Sequence, residues 1–154
     1  MLALALVGAA ASDAEAQGAL RRGGQQSGGE PGTSGTRVPQ KEEKKFPLGM
    51  SWIAVSMNGR PLSGTERPSM VLDEQFRVRG FGGCNSFSAT AFPLREQGIA
   101  VGPLALTKRG CDKAVMAAEQ SFLTALRTAA KWDTVVGSLV IKGPNGELKF
   151  ERSL

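Results

Sequence analysis

The sequence predicts an α+β fold, mostly antiparallel β, with about eight strands in a curled or barrel-like sheet and one α-helix packed on it. Three observations carry this. Beyond Phe46, turn residues interrupt short apolar runs at a spacing of about ten residues. The connectors between those runs are too short for parallel crossovers, so neighbouring strands run antiparallel. One stretch alone, Lys113 to Ala130, changes to a helical period.

The elements follow in order. Ser51 to Ser56 is a strand ending at Asn58-Gly59, a dipeptide that tolerates the positive φ of a tight turn. Met70 to Leu72 is the next, after the loop around Pro68. Asp73-Glu74 turns into Gln75 to Gly80, where Phe76 and Val78 alternate with Gln75, Arg77 and Arg79 to give one dry and one wet face. Asn85 to Leu94 and Ile99 to Leu106 are joined through Arg95-Glu96-Gln97-Gly98. In the helix, Val115, Ala118, Phe122, Ala125, Leu126 and Ala129 share one stripe, Asp112 is placed to cap it, and alanine supplies propensity. Lys131 to Val136, Leu139 to Lys142 and Glu147 to Arg152 complete the set. The last two form a hairpin across Gly143-Pro144-Asn145-Gly146, with Pro presetting φ and Gly at the bulge position. A sheet of this size curls or closes to protect its edges, with the helix over one face or one mouth.

The chain divides into three parts. Leu2 to Ala11 is an uncharged run of Leu, Ala, Val and Gly followed by Ala14-Glu15-Ala16, which reads as a secretory signal peptide over residues 1–16. It is much shorter than the roughly 20 residues that span a bilayer. No basic residue precedes it, which fits an initiator lying further upstream; the competing reading, a first core helix, lacks a cap. Residues 17–45 form a Gly-rich linker with too few apolar side chains to order itself, ending in Lys41-Glu42-Glu43-Lys44-Lys45. Arg21-Arg22 follows the apolar run, the wrong order for a twin-arginine signal. Residues 46–154 are the folded domain.

Composition removes several chemistries. Of 154 residues none is His, which excludes Ser-His-Asp and Cys-His nucleophile systems, an imidazole base and His-ligated zinc. Two Cys cannot build a four-thiolate metal site. The net charge of +5 permits nucleic acid, but Arg60, Arg67, Arg77, Arg79, Arg95, Lys108 and Arg109 are scattered among acids without interleaved aromatics, so no nucleic-acid partner is expected. Asp73, Glu74, Glu96, Asp112 and Asp133 show no spacing suited to an acid-base pair, and turn or cap roles suffice for them. Gly82-Gly83 lacks the Gly-Lys-Ser/Thr of a phosphate loop. The expectation is a non-enzyme, without cofactor or metal.

Cys84 and Cys111 are the sharpest chemical feature. In an exported chain an even thiol count predicts oxidation, and their bond would close a loop of about 27 residues. Two reduced, buried cysteines are the alternative. The spacing is not Cys-x-x-Cys, so redox catalysis is the weakest reading.

Around these cysteines run Gly80-Phe81-Gly82-Gly83-Cys84-Asn85-Ser86-Phe87 and Gly102-Pro103-Leu104-Ala105-Leu106-Thr107-Lys108-Arg109-Gly110-Cys111. Together with Trp52, Gly59 and a helix carrying Glu119, Phe122 and Leu126, this ordered set resembles the META domain of HslJ-like heat-shock proteins over about residues 50 to 153. Gly83, Cys84, Asn85, Phe87, Pro103, Thr107 and Cys111 carry its core motif. The resemblance implies a bacterial envelope protein tied to heat shock or antibiotic tolerance, sometimes to motility or secretion, with no agreed enzymatic activity. Departures are Ala89 and Ala91 where the family tends to a Gly and an aromatic, Lys108-Arg109-Gly110 before the second Cys, and no lipid-acceptor Cys.

Physical roles are expected for these residues. Gly82 and Gly83 allow a turn or close approach, Asn85 closes an Asx-turn on its own backbone, and Thr107 caps the loop into the helix. Glu119 falls within the apolar stripe and calls for a partner such as Lys108 or Arg109 at the rim. Trp52 and Trp132 are core or barrel-end aromatics, with ligand stacking the alternative. The resulting expectation is a monomeric periplasmic or secreted protein, without a membrane span, acting through contacts with another envelope protein. Alternatives are an exported hydrolase inhibitor using the loop Asn58 to Pro68, and a carrier of a small apolar ligand inside the curled sheet.

Overall fold

The computed structural model describes residues 42–153. The signal peptide expected at 1–16 and all of the linker expected at 17–45 except its last four residues lie outside the described residues. Glu43 and Lys44, at the end of that linker, already touch the folded body: the Glu43 carboxylate accepts the Glu96 N–H at 2.7 Å and the Lys44 ammonium meets Asp133 at 2.6 Å.

Ten strands and one helix follow: β1 (Ser51–Met57), β2 (Arg60–Pro61), β3 (Ser69–Leu72), β4 (Arg77–Phe81), β5 (Ser86–Leu94), β6 (Gly98–Val101), β7 (Ala105–Leu106), α1 (Lys113–Arg127), β8 (Lys131–Val135), β9 (Ser138–Gly143) and β10 (Gly146–Arg152). All pairings are antiparallel. The sheet runs β10-β9-β8-β6-β5-β4-β3-β1, and β1 pairs back onto β10, so the expected curled sheet of eight strands is a closed ring. The two additions are short: β2 lies beside β1, and β7 continues beside β5 where β6 leaves off.

The differences from the expected elements have local causes. One strand was expected over Ile99 to Leu106, but Gly102-Pro103 interrupts it. A Cβ on Gly102 would lie 2.6 Å from the Thr90 hydroxyl, and Pro103 has no N–H to give to a ladder. The strand expected from Gln75 begins instead at Arg77, because Phe76 has a φ of 58° and belongs to the turn. The Asp73 carboxylate holds that turn by accepting the Gln75 and Arg77 N–H groups. Phe76 is therefore half exposed, 5.6 Å from the Phe92 ring. The Asn58-Gly59 turn is as read, with φ of 53° and 74°, positive at both positions as a type I′ turn requires. Val136-Gly137 adopts the same backbone with φ of 49° and 78°.

The interior is filled by the inward faces of the ring. Trp52, Leu72, Val78, Phe87, Trp132, Ile141 and Phe150 are buried there, and from α1 the Phe122 ring lies 6.2 Å from both Phe87 and Phe150. Trp52 and Trp132 are thus core aromatics. Their indole N–H groups have no hydrogen-bond partner among the described residues. A void among Phe46, Leu72, Val78, Ile99 and Ile141 inside the ring measures about 10 Å³, room for a single water. That void is too small to hold the small apolar ligand of the carrier reading.

Candidate functional site, the overhanging half of the helix

The apolar stripe of α1 is buried only in its second half. Phe122, Leu123, Ala125 and Leu126 are buried, whereas every residue from Lys113 to Ala118 is exposed. Val115 and Ala118, expected in the core, are in solvent, and Met116 is 48 % exposed. The first turns of the helix overhang the ring.

Three devices hold this overhang in place. Asp112 is not one of them: it occupies the N-cap position, but its side chain makes no capping bond. The first device is covalent, a Cys84–Cys111 disulfide that ties the residue before the N-cap to the β4–β5 turn across a Cα separation of 6.1 Å. The second is Asn85. Its side-chain oxygen accepts the Arg109 N–H at 2.6 Å and the Thr107 hydroxyl at 2.9 Å, and its amide nitrogen donates to the Glu119 carboxylate at 3.4 Å. Asn85 therefore pins a segment more than twenty residues away, instead of closing an Asx-turn on itself. Thr107 acts at the same place, accepting the Ser86 N–H at 3.1 Å on β5 instead of capping the helix entrance.

The third device is Glu119, which is 5 % exposed. Its carboxylate accepts the Asn85 backbone N–H at 2.8 Å. The expected rim salt bridge to Lys108 or Arg109 is not formed, because Asn85 satisfies the carboxylate from the other side. A charged acceptor on a backbone N–H is a strong form of hydrogen bond, which accounts for a carboxylate inside an apolar stripe. Gly82 permits the approach, since a Cβ there would lie 2.8 Å from the Glu119 Cγ. Gly83 supplies the turn with a φ of 115°.

The remaining motif residues support the ring. Trp52 on β1 and Phe87 on β5 face the core, Phe122 and Leu126 seal the mouth that α1 covers, Gly59 makes the β1–β2 turn, and Pro103 marks the break between β6 and β7. Outside this region, the Lys142 pKa is raised by its hydrogen bond to Glu147 across the β9–β10 hairpin. Among the described residues no group of three or more His, Cys, Asp or Glu could hold a metal.

The overhang leaves a groove on each side of α1. The larger, about 610 Å³, runs between the helix and β7 and is lined by Leu104, Leu106, Met116, Ala117 and Leu123, with Lys113 and Arg127 toward its two ends. The smaller, about 380 Å³, lies against the loop Leu62 to Pro68, with Met57, Val115 and Phe122. Its volume and apolar lining put the larger groove in the range of binding clefts. Sequence reasoning missed Leu104, Leu106 and Met116. Helical periodicity places Met116 off the core stripe, and that was the one available signal that it faces outward.

A closed antiparallel ring with one helix over its mouth, braced by a disulfide and an Asn-Glu pair, defines a small α+β domain class. The META domain family matches residues 46–153, and the chain belongs to it. Solved structures share the fold at low identity. One from Burkholderia xenovorans is 17 % identical with a TM-score of 0.56, covering 76 % of this chain and 97 % of its own. A DUF4847 family protein from Bacteroides vulgatus is 11 % identical with a TM-score of 0.52, covering 68 % and 92 %. A further structure solved by NMR is 20 % identical with a TM-score of 0.55, covering 66 % and 87 %. No curated protein matches the chain.

Proposed function

We propose that this META-domain protein is an exported, monomeric, non-enzymatic accessory protein of the cell envelope that supports stress or antibiotic tolerance by holding another envelope protein. The observation that carries the reading is the Cys84–Cys111 bond at the root of the overhanging helix. Disulfides persist in oxidising compartments and are rare in reducing ones. A bond that braces the wall of an open groove gives export a direct role in forming the contact surface.

Binding suits the site better than catalysis. Its one buried carboxylate, Glu119, is committed to Asn85, and the groove beside it is otherwise lined by apolar, amide and hydroxyl side chains and by the cations Lys113 and Arg127; among the described residues no second carboxylate lines it to form an acid-base pair. The test is in-cell photo-crosslinking in the native host, with the reactive group at Met116 and, as a control, at the exposed hairpin residue Val136. A discrete envelope-protein adduct from position 116 and not from 136 is the expected result. Recovery of the protein from the cytosol with both thiols reduced would overturn the reading.

A further inference from the structure

The larger groove is bounded on one side by a strand edge that has no strand partner among the described residues. Thr107 donates its N–H to the Ser86 carbonyl on β5, at 3.0 Å. In an antiparallel pair the backbone groups alternate in direction, so the N–H and C=O of the preceding Leu106 face away from β5. Among the described residues no strand pairs with that side of β7, and β6 meets β8 at a single position, Gly98 with Lys131. The Val101 carbonyl on the same side is already taken by the Arg127 guanidinium at 3.2 Å. The open stretch is therefore Leu104 to Leu106, with the apolar groove directly beside it.

We propose that the free edge of β7 accepts an extended segment of a partner protein as an added strand, with an apolar side chain of that segment lodged between β7 and α1 and acidic residues flanking it. The proposal rests on the protein-contact reading above and names the chemistry of its partner. Strand addition at a sheet edge beside a helix is an established mode of peptide recognition, in which main-chain bonds give affinity and side-chain pockets give specificity. The dimensions agree: Lys113 and Arg127 are about 21 Å apart along a helix rising 1.5 Å per residue, the reach of about six extended residues.

Two features select this occupant. An alkyl chain would fill the groove but leave the Leu106 N–H and C=O covered and unpaired, whereas a peptide backbone satisfies both. The charge is also directional. Lys113 and Arg127 line the groove, and Lys108 and Arg109 follow β7 after Thr107, against Asp112 and a Glu119 carboxylate already engaged by Asn85. An acidic segment is steered in and a basic one is not.

The test titrates the full oxidised chain with a panel of capped heptapeptides alternating Glu with Val, Leu or Phe. Matched panels carry Lys in place of Glu, or N-methyl groups on alternate amides in each register. The expected result is binding by at least one Glu peptide, slowed hydrogen exchange at the Leu106 amide, and at least tenfold weaker binding for the Lys and the correctly phased N-methyl versions. Leu106→Pro, which removes an N–H that β5 does not use, should weaken binding at least tenfold while Leu106→Ala weakens it less. Lys113→Glu, on an exposed position that does not threaten folding, should shift preference toward the Lys panel. No binding by any panel member up to about 1 mM would overturn the proposal. So would binding indifferent to N-methylation, decanoate binding that displaces the peptides and ignores Leu106→Pro, or a self-associated chain in which Leu106 is already protected. Cytosolic localisation with peptide binding intact would sink the envelope reading alone; export with no peptide binding would sink the edge alone.

Discussion

Replacing Asn85 by Asp changes one polar group and inverts the electrostatics of the helix anchor. In the native site the Asn85 amide nitrogen faces the Glu119 carboxylate at 3.4 Å. Asn85→Asp keeps the oxygen that receives the Arg109 N–H and the Thr107 hydroxyl but places a second carboxylate oxygen against Glu119. Two unit charges at that distance repel by about 5 kcal/mol at an effective dielectric of 20. The folded protein can escape by holding one proton on the pair, which at pH 7 costs about 4 kcal/mol from a carboxylate whose ordinary pKa is near 4. The smaller value sets the ceiling, so a loss of about 3 to 4 kcal/mol is expected at pH 7. The sign of the pH dependence follows. The pair's folded pKa is raised above its unfolded value, so the folded state binds the extra proton and the penalty shrinks as pH falls from 7 toward 4.5. Asn85→Ala removes the same side-chain bonds without adding charge, and its loss should be nearly flat over that range. Urea denaturation of the wild type and both variants at pH 7 and 4.5 measures this. Parallel profiles for Asp and Ala would refute the geometry assigned to Glu119.

Three further outcomes are expected. The Cys84→Ala, Cys111→Ala double variant should lose about 3.5 kcal/mol, the chain-entropy value for a loop of about 27 residues, or roughly 15 °C in Tm for a domain of this size; calorimetry reads it, and an unchanged Tm would contradict the bracing role. Gly82→Ala pushes a methyl into the Glu119 Cγ and should cost about 2 to 3 kcal/mol through the displaced carboxylate, a loss that adding Glu119→Gln barely increases in a double-mutant cycle. Val136→Asn should stabilise by about 1 kcal/mol, because a fully exposed β-branched residue sits at a φ of 49° where Asn is tolerated; chemical denaturation that shows destabilisation would mean that Val136 makes a contact the structure does not have.

The ring was legible because its causes are local. The alternation of Val78 with Arg77 and Arg79, the Asn58-Gly59 turn and the Pro144-Asn145 hairpin are written in neighbouring residues, and the structure follows them. The site was only half legible. The pairing of Cys84 with Cys111 could be expected from the even count and the export read from the N-terminal residues, but the partners of Asn85 and Glu119 lie more than twenty residues distant, so no spacing rule indicates them. Glu119 looked like half of a salt bridge because a one-dimensional stripe shows the burden of a buried charge and not the backbone N–H that relieves it. Val115 and Ala118 looked buried for the converse reason: periodicity marks a face, and only the length of the ring's mouth decides how far along that face the core extends. The free edge of β7 was hidden by its continuity with β6, which Gly102-Pro103 breaks by bringing the backbone against Thr90.

Trapping the protein in intact native cells with a membrane-permeant alkylating reagent, followed by intact-mass measurement, bears most directly on whether oxidation builds the contact surface. The expected mass belongs to a chain lacking its leader, with no alkyl group until a reductant is added and two thereafter. Two alkyl groups on untreated material would mean that the helix overhang is unclamped in the cell, and the envelope role derived from that clamp would fall with it.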